Sequence, residues 1–229
     1  MPSQAQVSHN DFDNLLKSYV DINGRVNYKE LKAESNKLDT YITYLGANEP
    51  QSEWSRSEQL SYWINAYNAV TLQLVLKYYP IKSIKDIGSS IQIPYINTPW
   101  DIDCFSVGGE VLSLNNIEHD KVRAQFEEPR IHFALVCAAV SCPNLRNEAY
   151  QAGILDAQFT DQTKLFLADE SRNQIAEKRL SLSKLFSWYG GDFRNNGNIA
   201  EFIDPYTEVA VDKKAKISFM DYDWSLNEQ

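Results

Sequence analysis

Hydrophobic positions with helical spacing are clearest over residues 57–79, where apolar side chains recur every three or four residues. Ser55 followed by Glu58 is a capping-box pattern, which is typical of a helix N-terminus. Pro80 cannot continue a helix and ends the pattern. The sequence therefore predicts one long helix with a buried face in the first half of the chain.

Shorter helical patterns predict helices at residues 11–20, 38–45, 114–126, 145–152, 159–169 and 183–189. Gly24 predicts a turn with a brief extended piece after it. Residues 91–104 have the pattern of a loop, and Gly108-Gly109 predicts the turn of a hairpin. The chain ends in an extended tail that contains YDWSLN.

An unbroken apolar run at residues 130–139 predicts a strand that is buried on both faces. Strands and helices do not alternate regularly along the chain. This order favours the α+β class, as a helix-rich single domain around a small, mostly antiparallel sheet. We expect a flexible segment at residues 1–10 and one globular domain at residues 11–229, because no repeat or linker divides the chain.

Composition narrows the classes of function. The net charge of −9 and the pI near 4.9 argue against a nucleic-acid partner, since no basic run offsets the acidity. No run of about eighteen apolar residues exists, so no membrane span is predicted. The first residues lack the basic and apolar parts of a signal peptide and resemble a mature N-terminus behind an added methionine. Three cysteines are too few for a disulfide scaffold, and their odd number leaves at least one thiol unpaired within the chain.

Cys142 is the first candidate for chemistry because Pro143 follows it. Proline favours the first position of a helix, so Cys142 is predicted near the N-cap. Free amides and the helix dipole at such a position favour a thiolate, and backbone amides near Pro143–Leu145 would bind an oxyanion. The alternative is a small buried residue at a strand-to-helix junction.

Cys137 and two histidines complete this set of candidates. Cys137 lies mid-strand in the prediction and is interpreted as a buried, inert thiol, and a Cys137–Cys142 bridge would require the end of the strand to fold back. His119 and His132 are both candidate bases, with a structural role as the alternative for each. Strand alternation places the side chain of His132 opposite Cys137.

Asparagines within the long helix also need a reason, because asparagine is a weak helix former. Asn65 and Asn68 lie one turn apart, on the face that also holds Glu58 and Ser61. Either they pin a neighbouring loop by hydrogen bonds, or one of them orients a catalytic histidine or an oxyanion. Glu58 is interpreted as a capping residue that also lies on the face of the site.

A zinc site is a third possibility, since Glu118, His119, His132 and Cys142 are all competent ligands. No tight ligand pair such as CxxC or HExxH supports it. The chain also lacks a GxSxG motif and a phosphate-binding glycine loop, so no cofactor is predicted.

Several ordered segments, among them YWINAYNAVTLQLVL, LSLNNIEHDKVR, EPRIHFALVCAAVSCPNL and LSLSKLFSWYGGDF, resemble the domain of unknown function 547 family. GRVNYKEL and YDWSLN extend the resemblance over nearly the whole chain. The family is mostly bacterial and often exported, which implies a periplasmic or secreted protein, while the sequence itself leaves a cytoplasmic location open. The resemblance implies these site positions: Asn65, Tyr67, Asn68, Glu118, His119, His132, and Cys142 with Pro143. Cys137 also stands at a place where the family commonly has cysteine.

The function predicted from these features is thiol-dependent acyl transfer, as in a peptidase, an amidase or a transglutaminase-like hydrolase acting on a peptide or amide. Cys142 is the nucleophile, His119 or His132 is the base, and Glu118 or a helix asparagine holds the imidazole. The alternatives are a non-catalytic peptide- or glycan-binding module of an exported complex, and a zinc-binding protein. The substrate and the oligomeric state stay open.

Overall fold

The computed structural model describes residues 7–88, 98–195 and 197–229, so residues 91–97, the first part of the predicted loop 91–104, lie outside the described residues. Most of the described regular structure is helical. The α-helices are α1 (Asn10–Tyr19), α2 (Tyr28–Ala33), α3 (Ser35–Ala47), α4 (Arg56–Tyr78), α5 (Leu155–Ala168), α6 (Leu185–Trp188) and α7 (Ile199–Ile203). None of the described helices is long and apolar enough to cross a membrane.

Helix α4 is the central element, and its predicted limits are confirmed to within a residue. The backbone N–H of Ser55 donates to Glu58, and the N–H of Glu58 donates to Ser55 Oγ, which completes the capping box. Every residue from Leu60 to Leu72 is buried. A helix that is buried all round must be covered on every face by other elements.

The strands form two small sheets. In the first, β1 (Phe105–Val107) pairs antiparallel with β2 (Glu110–Leu112) across the predicted turn, where Gly108 and Gly109 both have positive φ. The second contains β3 (Gln174–Ala176), β4 (Arg179–Leu182) and β5 (Lys216–Phe219). β4 pairs antiparallel with β3 and parallel with β5. The helix-rich α+β class is confirmed.

The strand predicted at residues 130–139 is wrong. The structure has a 3₁₀ helix at Pro129–Phe133, and an irregular chain follows it. Pro129 fixes φ in the first turn, and the Glu128 carboxylate accepts from the N–H of Arg130, so the local sequence favours a helical start. The prediction that this segment is buried holds for His132 through Val136.

The helix predicted at residues 145–152 is also wrong, and with it the helix N-cap at Cys142. The chain leaves Cys142 and Pro143 in an irregular path, and the next helical turn is the 3₁₀ segment Ala152–Ile154. Side-chain amides take the place of helical hydrogen bonds there: Asn65 bonds both backbone groups of Tyr150, and Gln158 bonds Ala149 and Gln151.

Two hydrophobic clusters form the core. The larger one surrounds α4 and includes Leu135 and Cys142, and the smaller one surrounds Phe133 and includes Leu185. Within the N-terminal segment, Val7 is buried, and a hydrogen bond of 2.7 Å joins His9 Nδ1 to the hydroxyl of Tyr41. The two clusters meet beside residues 132–137, which is where the candidate site lies.

Candidate active site

A cavity of about 180 Å³ lies where the two hydrophobic clusters meet. Its wall contains four side chains with reactive or ionisable groups and six aromatic rings. These lining residues are Glu118, His132, Cys137 and Cys142; Tyr67, Trp100, Trp188, Tyr189, Tyr222 and Trp224; and Asn115, Leu135 and Leu185. A largely apolar pocket with a few convergent polar groups is typical of a small-molecule or active site.

The two thiols of the pocket are brought together by a tight turn. Ala138 has a left-handed φ of 57°, which is costly for a residue with a Cβ. The N–H of Asn227 donates to the carbonyl of Ala138, and the N–H of Cys142 donates to Ala139. As a result the backbone N–H and the thiol of Cys137 both donate to Cys142 Sγ, each at 2.8 Å. The prediction that His132 and Cys137 point to opposite sides is wrong, because both line the pocket.

These contacts shift the pKa values of the two thiols in opposite directions. Burial by itself raises the pKa of Cys142, but hydrogen bonds from the Cys137 thiol and amide and from the Tyr222 hydroxyl lower it below its usual value. The same contact raises the pKa of Cys137, and burial adds to the effect. Cys142 is therefore the thiol whose ionised form this site stabilises, although hydrogen bonds rather than a helix dipole do it.

His132 is held by a carboxylate that the sequence does not single out. The distance from His132 Nε2 to Asp192 Oδ2 is 2.7 Å, and the ring of His132 stacks on Tyr189 with 3.9 Å between centroids. Asp192 also accepts two hydrogen bonds from Arg123, at 2.7 and 3.0 Å. The bonds from His132 and then Arg123 hold the pKa of Asp192 well below its usual range, so the carboxylate accepts and His132 Nε2 donates.

That arrangement leaves Nδ1 of His132 as the nitrogen with a free lone pair. Burial lowers the pKa of His132, although Asp192 opposes the shift, and the neutral imidazole is favoured. A neutral imidazole with one nitrogen fixed by a carboxylate is the arrangement that general bases use. No hydrogen bond between either candidate histidine and Cys142 Sγ occurs in the described part of the chain.

His119 lies outside the pocket. It is exposed, and its Nδ1 accepts a hydrogen bond of 2.9 Å from Arg123, since arginine can only donate. Glu118, its neighbour, lines the pocket and is 6% exposed, with the hydroxyl of Tyr67 at 3.5 Å from its Oε2. Both belong to a π-helix at Asn116–Arg123, a wide helical form that is frequent at functional sites.

Asn68, on α4, holds in place the backbone on either side of Leu135, which lines the pocket. Its amide donates to the carbonyl of Ala134 at 2.9 Å and accepts from the N–H of Val136 at 3.0 Å. Asn65 clamps Tyr150 in the same way. Of the two readings of these asparagines, the geometry supports the one in which they pin neighbouring segments.

Replacing Asn68 with alanine is expected to lower the free energy of unfolding by about 2–4 kcal/mol, because two buried backbone groups lose their partners. Urea unfolding measures this loss. Gln73→Ala, on the same helix, is the matched control and is expected to cost less than about 1 kcal/mol, since Gln73 bonds only an exposed Asp39. Equal losses in the two variants would contradict a clamp at Asn68.

Glu58 stays at the N-terminus of α4 in its capping box, is absent from the wall of the pocket, and has no part in the site.

The zinc alternative is not supported by the geometry. Within residues 7–88, 98–195 and 197–229, no three His, Cys, Asp or Glu side chains are grouped in a way that would hold a metal ion. Glu118, His119, His132 and Cys142 therefore do not form a ligand set.

Sequence reasoning missed Asp192, Arg123 and the ring of Tyr222. Asp192 is far along the chain from His132 and Arg123, and Tyr222 is far from Cys137, so no local pattern links these residues. A weak signal existed, because Asp192 and Tyr222 belong to the segments WYGGDF and YDWSLN that carry the family resemblance.

Comparison with known families supports that resemblance. Residues 51–167 match the family described as "Protein of unknown function, DUF547". No curated protein and no solved structure matches the chain. The matched region contains α4, the π-helix, the 3₁₀ turn of His132 and both pocket cysteines, and it covers just over half of the sequence. The chain therefore belongs to the DUF547 family.

Proposed function

We propose that the chain is a thiol-dependent acyl-transfer enzyme that acts on a peptide or amide, with Cys142 as the nucleophile and His132 as the base. One observation carries the proposal. Cys142 Sγ accepts two hydrogen bonds from Cys137 inside a pocket whose wall also includes His132, and His132 is fixed by Asp192. A lowered thiol pKa beside an oriented imidazole is the combination that covalent catalysis by cysteine requires.

In the proposed reaction, Cys142 Sγ bonds to the carbonyl carbon of the substrate, and the carbonyl oxygen becomes an oxyanion. The proton that leaves the thiol passes to Nδ1 of His132. When the tetrahedral intermediate collapses, the bond from carbon to nitrogen breaks, and His132 gives this proton to the leaving amine. His132 then takes a proton from the water or amine that attacks the thioester, the bond from carbon to sulfur breaks, and His132 returns the proton to Cys142 Sγ.

Tyr222 is the donor we assign to the oxyanion. Its hydroxyl lies 3.2 Å from Cys137 Sγ, at the same corner as Cys142. This replaces the oxyanion site expected at backbone amides near Pro143–Leu145, since no helix begins there. A preorganised hydroxyl in a pocket that excludes water stabilises a developing charge more than it would in solution.

A binding module is the second candidate, and the aromatic cluster at the mouth of the pocket favours it. Trp188 is 48% exposed and lies 4.8 Å from Tyr222 and 5.7 Å from Trp224, measured between ring centroids. Exposed rings of this kind suit stacking on a sugar or a peptide side chain.

Trapping of the acyl-enzyme separates the two candidates. We expect p-nitrophenyl acetate to release a burst of p-nitrophenol equal to the enzyme concentration, and to leave an acetyl thioester on Cys142 that neutral hydroxylamine removes. Peptide mass mapping after an acid quench locates the acetyl group. If Cys142 stays unmodified in the folded protein and reacts only after denaturation, the binding module is the better account.

A further inference from the structure

Glu118 is a buried carboxylate without a cationic partner. It is the one acidic side chain that is buried within the described residues, at 6% exposure. None of the ion pairs formed by those residues includes it. Its contacts are with neutral hydroxyl groups: that of Tyr67 lies 3.5 Å from Oε2, at the long limit of a hydrogen bond, and that of Tyr189 also bonds to the carboxylate. A buried carboxylate is normally paired with a cation. Glu118 is therefore able to bind a cation from outside the chain.

Arg123, a cation that interacts with Glu118 electrostatically, is already engaged by other groups. Arg123 lies on the same π-helix, but its guanidinium donates to Asp192 twice and to His119 once. Glu118, in contrast, faces the cavity that also holds Cys142. The negative group of this pocket is therefore matched by no positive group in its wall.

The aromatic rings of the pocket independently favour a cation. Ring faces attract ammonium groups, and tryptophan does so most strongly. The Nζ atom of Lys85 lies 3.9 Å from the centroid of Trp224, so an ammonium of the chain itself already sits on the outer part of this cluster. Trp224 in turn contacts Tyr222 and Trp100, with centroids 4.6 and 5.8 Å apart.

We propose that the pocket binds the primary ammonium group of a substrate, with Glu118 as its counter-ion and the rings around its methylene groups. This deepens the proposed function, because its catalytic meaning rests on Cys142 acting on that substrate. The binding itself does not depend on catalysis. Glu118 is then a specificity residue that selects amines over neutral or acidic groups of the same size.

Charged thiol reagents test this selection at Cys142. Three methanethiosulfonates, carrying 2-aminoethyl, methyl and 2-sulfonatoethyl groups, each form a mixed disulfide and release methanesulfinate. Rates at Cys142 are measured by mass mapping and divided by those of 2-mercaptoethanol. The ratio of the cationic to the neutral reagent cancels any change in the thiolate fraction.

We expect this ratio to be about tenfold or more above that of the free thiol, and to fall to about one in Glu118→Gln. Asp120→Asn is the matched control, since Asp120 is exposed on the same π-helix and its carboxylate accepts a hydrogen bond from Asn116. It is expected to keep the ratio of the unaltered protein. A ratio near one in the unaltered protein, or equal losses in both variants, would overturn the proposal.

A second measurement needs neither a reactive thiol nor a stable variant. n-Butylammonium chloride is expected to raise the Tm of the unaltered protein, while n-butanol and sodium chloride at equal concentration are not. Equal effects of the three additives would refute ammonium binding. A missing acyl-enzyme with a specific n-butylammonium shift would instead refute the proposed catalysis and leave this inference standing.

Discussion

Replacement of Cys142 by alanine is expected to reduce the turnover of p-nitrophenyl acetate by at least about 10³-fold, to the rate of the solvent background. The reason is that the variant lacks the proposed nucleophile, whose pKa is lowered, against the effect of burial, by hydrogen bonds from the Cys137 thiol and amide and from the Tyr222 hydroxyl. Steady-state rates measure the loss, and urea unfolding shows whether the variant is folded.

Cys104→Ala is the control for a cysteine outside the site. Burial, followed by the nearby charge of Asp103, raises the pKa of Cys104 to about 11, so it is a poor nucleophile near pH 7 and its loss should leave turnover unchanged. Loss of turnover in Cys104→Ala, or turnover retained by Cys142→Ala, would contradict the assignment.

Cys137 supplies a sharper control, because it lines the same pocket and is the more exposed of the two thiols. Cys137→Ser keeps a side-chain donor to Cys142 Sγ. Cys137→Ala removes that donor, so that residue 137 contributes only its backbone N–H. The pKa of Cys142 should therefore rise in the alanine variant, and the acid limb of the pH–rate profile should move to higher pH. If Cys137 were the nucleophile, both variants would instead be inactive.

The sequence predicted the parts of the fold that depend on local pattern. The periodicity of α4, the Ser55–Glu58 box and the hairpin at Gly108-Gly109 are all confirmed, because each needs only neighbours along the chain. The irregular order of strand and helix patterns predicted the class, and four residues expected at the site, Tyr67, Glu118, His132 and Cys142, line one pocket.

The wrong predictions concern segments whose backbone conformation depends on side chains that are distant along the chain. An apolar run such as residues 130–139 suits a strand unless something else bonds its amides, and Asn68 supplies that bond from another helix. Pro143 suits a helix start, but the residues after it bond to Asn65 and Gln158 instead. Asp192 was missed for the same reason, since only the tertiary fold brings it to His132.

Asp192 is also the residue whose conservative replacement should reveal the mechanism. Asp192→Asn keeps the shape of the side chain and an acceptor for Arg123, but its amide can donate to Nε2 of His132. The imidazole then carries its proton on Nδ1, and the lone pair that serves as the base is lost. We expect turnover of p-nitrophenyl acetate to fall by about 10²- to 10⁴-fold, which is the scale known for a wrong histidine tautomer in serine proteases.

A double-mutant cycle shows whether Asp192 acts through His132. His132→Gln removes the base, so adding Asp192→Asn to it should reduce turnover by less than about threefold more. The pH profile gives a second readout. The Asp192 carboxylate stabilises imidazolium, so in Asp192→Asn the pKa of His132 falls further and the acid limb of the residual rate moves to lower pH. Additive losses with an unmoved profile would mean that Asp192 serves only to anchor Arg123, and His132 would then have no oriented base function.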